Sequence, residues 1–307
     1  MKELTKKIIK KEVTYNVATR AYKEKNKKTK KFIAVFDGFK FSESTMKYAI
    51  QLTKKSDALL VGVFLDEFIY RSYNVSKMAT SYKNDEQILK QMDATDKEKR
   101  DEAVKQFGQA CGAEGIHYSF HRNTGIAIQE LKQESIFADL IIINDTETFN
   151  RFAEEPPTRF IKELLSDVQC PVLIVPDIFK LIDKITLLYD GGPSSVFAIK
   201  MFSYLFNSLP EVPVKVFTVK DKMEGSHLPN NKLMREFITR QFHDANYIVE
   251  KGKAEEQIGG HLRYHKGNEM VVLGAYRRSE ISRWFKISMA DILMKELDTP
   301  LFIAPNK

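Results

Sequence analysis

Lys31-Phe32-Ile33-Ala34-Val35-Phe36-Asp37-Gly38 is a run of apolar, mostly strand-forming residues closed by Asp-Gly. Lys184-Ile185-Thr186-Leu187-Leu188-Tyr189-Asp190-Gly191 repeats the pattern 153 positions on, counted from Asp37 to Asp190. Near-continuous apolar runs of this length read as strands buried on both faces, the signature of a parallel sheet covered by helices. A fixed displacement between two such runs points to internal duplication.

Two further pairs support the repeat. Ala138-Asp139-Leu140-Ile141-Ile142-Ile143-Asn144 matches Asn268-Glu269-Met270-Val271-Val272-Leu273-Gly274 at a displacement of 130, and Cys170-Pro171-Val172-Leu173-Ile174-Val175-Pro176 matches Thr299-Pro300-Leu301-Phe302-Ile303-Ala304-Pro305 at 129. The second strands, Leu59 to Phe64 and Val214 to Val219, still align at 153 through Val63 with Val216 and Phe64 with Phe217. The first copy therefore carries about two dozen extra residues between Asp66 and Ile116. That stretch opens on the aromatic-rich Glu67-Phe68-Ile69-Tyr70-Arg71-Ser72-Tyr73 and runs to a helical segment around 94–112. A lid over a ligand is one reading of the aromatics, and a dimer or interdomain contact is the other.

Between the strands lie helical stretches. Met46, Ala49, Ile50 and Leu52 form an apolar stripe in one, and Val196, Ile199, Phe202, Tyr204 and Leu205 in its counterpart. The expected architecture is α/β, with two tandem doubly wound sheets of five parallel strands each. A basic arm over 1–30 precedes a first domain over 31–178, with its insertion at about 67–95, and a second over 182–307.

A chain of 307 residues exceeds what one core usually supports, which agrees with two domains. At 43% apolar and 29% charged residues, with no apolar run near the ~20 residues that cross a bilayer, neither a membrane-spanning nor a disordered chain is expected. The opening Met1-Lys2-Glu3-Leu4-Thr5-Lys6-Lys7 breaks its hydrophobics with lysines, unlike a secretory signal, so a cytoplasmic location is expected. The net charge of +7 originates in residues 1–31, where twelve Lys/Arg face only Glu3, Glu12 and Glu24. The arm has no base-reading motif and few aromatics to stack on bases, so a solvated tail is expected rather than a nucleic-acid partner. Cys111 and Cys170 form no CxxC pair and imply neither disulfide nor zinc.

The Asp-terminated first strand, the Ala-Asp-Leu-Ile-Ile-Ile fourth strand and the Cys-Pro-Val-Leu-Ile-Val-Pro fifth strand resemble the universal stress protein family, over both copies from about residue 30 to the C-terminus. The resemblance implies strand order 3-2-1-4-5 in each copy, a layering similar to flavodoxin and the adenine-nucleotide hydrolases, and pairing of the two copies through their last strands. It also implies a nucleotide loop after the fourth strand, Gly-x2-Gly-x9-Gly-Ser/Thr. Glycines there let backbone N–H groups approach phosphate, and the Ser/Thr heads a helix whose N-terminus favours an anion.

Both copies depart from that loop. In the first, Asn144 and Glu147 replace two glycines, the segment ends Pro156-Pro157-Thr158, and Asp145, Glu147, Glu154 and Glu155 load it with negative charge. A carboxylate ~5 Å from a phosphate costs about 3 kcal/mol at an effective dielectric near 20, so this copy is expected to bind no triphosphate. The second keeps Gly274 and Ser288, replaces the second glycine with Arg277, and is basic through Arg277, Arg278, Arg283 and Lys286.

By the resemblance, Asp190, Gly274, Arg277 and Ser288 are candidate nucleotide-binding residues, with ATP or AMP as ligand. Asp37 is a weaker candidate, and a turn or helix cap is the plainer role for an Asp-Gly. Arg283, Trp284 and Phe285 form a candidate docking segment, or pack against the neighbouring copy. His261 and His265, at i and i+4, lack the remaining ligands of a zinc site and read as a solvated helix face, as do His117 and His121 on their strand. No catalytic residue, metal ligand or cofactor fingerprint stands out. The expectation is a non-enzymatic stress-response protein, a tandem pseudo-dimer with degenerate phosphate loops and at most one weak nucleotide or anion site, in the second domain. An interaction scaffold, alone or as a homodimer with an unidentified protein partner, is the alternative, and a slow ATP hydrolase a third reading.

Overall fold

A computed structural model describes residues 29–67, 86–206, 212–221, 223, 225–264, 268–275 and 289–305. The first half contributes β1 (Lys31–Phe36), α1 (Glu43–Ser56), β2 (Leu59–Glu67), α2 (Glu86–Ala113), β3 (Tyr118–Gly125), α3 (Ala127–Ser135), β4 (Leu140–Asn144), α4 (Arg159–Asp167) and β5 (Val172–Val175). The second contributes β6 (Lys184–Leu188), α5 (Pro193–Leu205), β7 (Val214–Lys220), α6 (Asn231–Gln241), β8 (Asn246–Lys251), α7 (Ala254–Tyr264), β9 (Glu269–Ala275), α8 (Met289–Glu296) and β10 (Leu301–Pro305).

The two five-stranded parallel sheets join edge to edge. Their strands run in the order β3-β2-β1-β4-β5-β10-β9-β6-β7-β8, which is 3-2-1-4-5 followed by its mirror. All pairings within a half are parallel, and β10 joins β5 antiparallel through Leu301 with Ile174, Phe302 with Leu173 and Ile303 with Val172. Because strand side chains alternate, each strand feeds two core layers. Phe32, Ala34 and Phe36 point to the layer under α1, α2, α5 and α6, while Ile33 and Val35 point to the layer under α3, α4, α7 and α8. Both layers run across the junction. On the first, the Phe32 and Phe206 rings are 5.9 Å apart, and the carbonyl oxygen of Leu205, at the end of α5, accepts hydrogen bonds from Lys30 Nζ at 2.7 Å and Ser56 Oγ at 3.3 Å.

The second strands correct the sequence alignment. Val63 shares its layer with Ile33 and Val35, whereas Val216 lies in the opposite layer with Leu187. Phe64 stands beside Phe36, but Phe217 stands beside Leu188, the counterpart of Val35. The pairing of Val63 with Val216 is thus out by one residue, and with a side-chain period of two a one-residue slip turns every side chain to the wrong face. The helix expected around 94–112 begins earlier, at Glu86, and reaches 28 residues against 11 in α6. The intervening sequence, rich in Glu, Gln, Lys, Leu and Met, contains no Pro or Gly to stop it. Tyr204, counted in an apolar stripe, is half exposed.

Local chemistry fixes the helix starts that frame the sites. Ser42 Oγ accepts the Thr45 N–H at 3.1 Å to cap α1, and Thr158 Oγ1 accepts the Ile161 N–H at 3.2 Å to cap α4. α5 has no side-chain cap at its N-cap position, and Pro193 stands in its first turn, where a missing N–H costs nothing. Among the described residues no helix is long and apolar enough to cross a membrane.

Candidate functional site

In an open α/β sheet, ligands bind beyond the carboxyl ends of the strands, where the chain reverses its direction of travel across the sheet. In the second half that point lies between β6 and β9, and a cavity of about 480 Å³ opens there. Leu188 ends β6 in its wall and Tyr189 and Asp190 follow, Phe217 and Val219 come from β7, and Leu273 and Gly274 from β9. Ala254 and Ile258 of α7 and Met289 of α8 close the apolar side; Gly192, Pro193, Ser194 and Ser195 close the other. Asp190 and Gly274, chosen from sequence, are brought together here. Arg277, Ser288, Arg283, Trp284 and Phe285 lie outside the described residues.

Asp190 shapes the turn that starts α5. Its Oδ1 accepts the Gly192 N–H at 2.8 Å and the Ser195 hydroxyl at 2.6 Å, while its side chain remains exposed at the cavity. Gly191 holds φ +84 in the same turn, and a Cβ there would stand 2.7 Å from Pro229, so glycine is required twice over. Gly274 is required by contact alone. A Cβ on it would fall 2.6 Å from both the carbonyl carbon and oxygen of Ser194. Its bare backbone lets the end of β9 touch the start of α5, which sets the depth of the cavity.

The counterpart in the first half is filled by the chain's own side chains. Asn144, in the position of Gly274, is buried; its Nδ2 donates to Val175 O at 3.3 Å and its Oδ1 accepts the Thr146 N–H at 2.9 Å. Glu147 turns inward rather than out to solvent and is only 5% exposed. Burial first, and the charge of Asp37 next, push its carboxyl well above the usual range, with Lys40 opposing and Asp177 adding to the rise. Asp145 is pushed to about 7 by burial, Asp177 and Asp298. Burial of both carboxyls disfavours their ionised forms, which reduces the negative charge expected of the loop at these two groups. Glu154 also turns to structure, accepting the Arg159 N–H at the start of α4 at 2.7 Å.

Three anchors hold the loop between β4 and α4. Thr158 Oγ1 donates to Glu147 O at 2.6 Å, Lys40 Nζ donates to Asn150 O at 3.0 Å, and the Phe149 ring packs 4.5 Å from that of Phe160. Phe149 sits at φ +51, a conformation that costs a non-glycine residue on the order of 1 kcal/mol. Asp37 caps its own turn by accepting the Phe39 N–H at 2.8 Å and is 1% exposed. Above it, Arg100 of α2 lies 4.3 Å over the Phe39 ring and 3.3 Å from Asp66.

Sequence reasoning missed two polar clusters. His121 is no solvated histidine; its Nδ1 lies 2.7 Å from Glu134 Oε1, and Lys31 Nζ lies 3.3 Å from the same carboxylate. Burial alone would raise the Glu134 carboxyl, but His121 and Lys31 together hold it below its ordinary value. In the second half, Lys215 Nζ reaches Glu269 Oε1 at 3.2 Å and His261 Nε2 at 3.2 Å, and Thr186 Oγ1 donates to the same Glu269 oxygen. The His261 ring rests 4.5 Å from that of Phe217, a wall of the cavity, which corrects its reading as solvated. The only sequence signal was a Thr, a Lys and a Glu where apolar strand residues were expected. No group of three or more His, Cys, Asp or Glu among the described residues is arranged to hold a metal ion.

No protein-family model and no curated protein matches the sequence. Solved structures do match. A universal stress protein from Archaeoglobus fulgidus DSM 4304 aligns over 90% of this chain and 98% of its own, with a TM-score of 0.61 at 14% identity. A protein of Pseudomonas aeruginosa UCBPP-PA14 provisionally assigned to the same family aligns over 90% and 93%, with a TM-score of 0.59 at 13% identity. A functionally unknown protein from Pseudomonas aeruginosa PAO1 aligns over 90% and 92%, at 0.59 and 12%. The chain has the universal stress protein fold in tandem.

Proposed function

We propose that this is a non-enzymatic binding protein of the stress-response type, whose one small-molecule site lies in the second half and takes an adenine nucleotide or a related anion weakly. The asymmetry of the two crevices carries the reading. A cavity of about 480 Å³ stands beside Asp190 and Gly274, within the range of small-ligand sites, whereas Glu147 lies buried in the matching crevice of the first half.

The cavity suits the base end of such a ligand. Phe217, Val219, Ile258 and Leu273 offer flat apolar walls, and Asp190 offers a carboxylate acceptor to a ring amine. The described lining residues include no Lys or Arg. The charge of ATP or AMP would then fall to Arg277 and Arg278, with Ser288 as a hydroxyl donor, residues that follow Gly274 in sequence. Among the described lining residues the Ser195 hydroxyl is donated to Asp190 rather than to a base, in keeping with a non-enzymatic role. Mass spectrometry of gently purified protein tests the reading: retained adenine nucleotide at no more than one per chain supports it, and retention at two per chain overturns it.

A further inference from the structure

The loop after β4 is packed in an unusual way. It buries two carboxyl groups, Glu147 beside Asp37 at the first half's crevice and Asp145 on the side of β5, and Glu147 Oε2 and Asp145 Oδ1 have no hydrogen-bond partner. An ionised carboxylate left so is costly, whereas a neutral one is tolerable. Most charged groups that face them are also acidic. Glu147 meets Asp37 at the end of β1, Lys40 in the turn before α1 and Asp177 after β5; Asp145 meets Asp177 and Asp298, the latter three residues ahead of β10. Lys40 is the only cation among them, and its ammonium is already donated to Asn150 O of the same loop.

We propose that the segment from Asp145 to Pro157 is a proton-held plug, seated in the first half's crevice while Glu147 and Asp145 are protonated and released when both protons pass to solvent. The release is local. The shared core across the β5–β10 junction, with Phe32 against Phe206 and Phe206 against Phe302, does not depend on these carboxyls. The anchors that would let go are the Thr158 and Lys40 bonds to the loop backbone and the left-handed Phe149, which is already strained where it sits. Burial raises both carboxyls, Asp145 to about 7, so the release falls at and above neutral pH. The consequence is a crevice over Asp37 that is closed in mildly acidic solution and open in alkaline solution, whatever the second half binds.

Amide hydrogen exchange of the full chain, corrected for intrinsic rates and read on peptides covering 145–157, tests this from about pH 5 to about pH 9. The plug predicts that protection there falls about a hundredfold per pH unit while both carboxyls are protonated in the seated loop and ionised in the released one, and about tenfold per unit above about pH 7, where Asp145 is ionised in both, while β1 and β4 stay protected. Glu147→Gln, close to isosteric, keeps most of that protection at high pH, and Asp145→Asn shifts the loss upward. A protonated-carboxyl infrared band in the wild type near pH 6, reduced in Glu147→Gln, is the independent expectation. Protection of 145–157 that does not change with pH, equal loss in wild type and Glu147→Gln, or identical carboxyl bands in the two would each overturn the proposal.

Discussion

The α-carbon of Gly274 lies so close to Ser194 that a side chain there would stand 2.6 Å from the Ser194 carbonyl carbon and oxygen. The obstacle is backbone, which cannot rotate away. Gly274→Ala must push the end of β9 from the start of α5, and overpacking of this kind costs about 1–3 kcal/mol. Denaturant unfolding should show the loss, and a ligand that occupies the cavity should lose affinity as well. Gly112, whose Cβ would meet nothing within 4 Å, is the control, and Gly112→Ala within its helix should be neutral or stabilising.

Stability should fall as pH rises through the neutral range. Below its ordinary value of 3.8 the Asp145 carboxyl is protonated in folded and unfolded chains alike; between there and about 7 only the folded chain keeps the proton, so each step up in pH favours unfolding. Three units of that slope amount to at most about 4 kcal/mol. Glu147, also raised, acts with the same sign and extends the fall to higher pH. Chemical denaturation between about pH 5 and about pH 8 checks the slope, which Asp145→Asn should reduce.

Lys215→Met should cost about 3–5 kcal/mol, because Glu269, 2% exposed, would be left as a buried charge without its cation. Lys215→Met combined with Glu269→Met should recover much of the loss. A double variant no more stable than the Lys215 single variant would contradict this account of the pair.

Both thiols should resist reagents in the folded chain. Burial pushes Cys111 and Cys170 up to about 12, so little thiolate forms at neutral pH. Labelling with a thiol-reactive disulfide reagent should be slow in native protein and complete in denaturant.

The duplication was legible because buried parallel strands are written as apolar runs, and Asp-Gly closes two of them at matching positions. The slip at Val63 and Val216 was not legible, since both second strands place apolar residues on both faces, and Lys215 and Thr218 fall on opposite faces of β7, so neither strand shows the clean alternation that would fix the phase. Asp37 and Asp190 were found, along with the ambiguity between ligand contact and turn, and the structure gives each a turn-capping bond. A Glu in a loop is ordinarily solvated, and the burial of Glu147 goes with contacts that no local motif announces: Asn144 to Thr146, Thr158 to the Glu147 carbonyl and Phe149 on Phe160. The Lys215, Glu269 and His261 cluster drew on three separate segments and left no local motif to see.

Isothermal titration calorimetry of the full chain with ATP, ADP and AMP tests the central claim, that only the second half keeps a ligand site, most directly. The account predicts weak binding at one site per chain near neutral pH, abolished by filling the cavity with Ala254→Trp and unaffected by Glu147→Gln. Tight binding at two equivalent sites per chain, or binding that survives Ala254→Trp and is lost in Glu147→Gln, would contradict it.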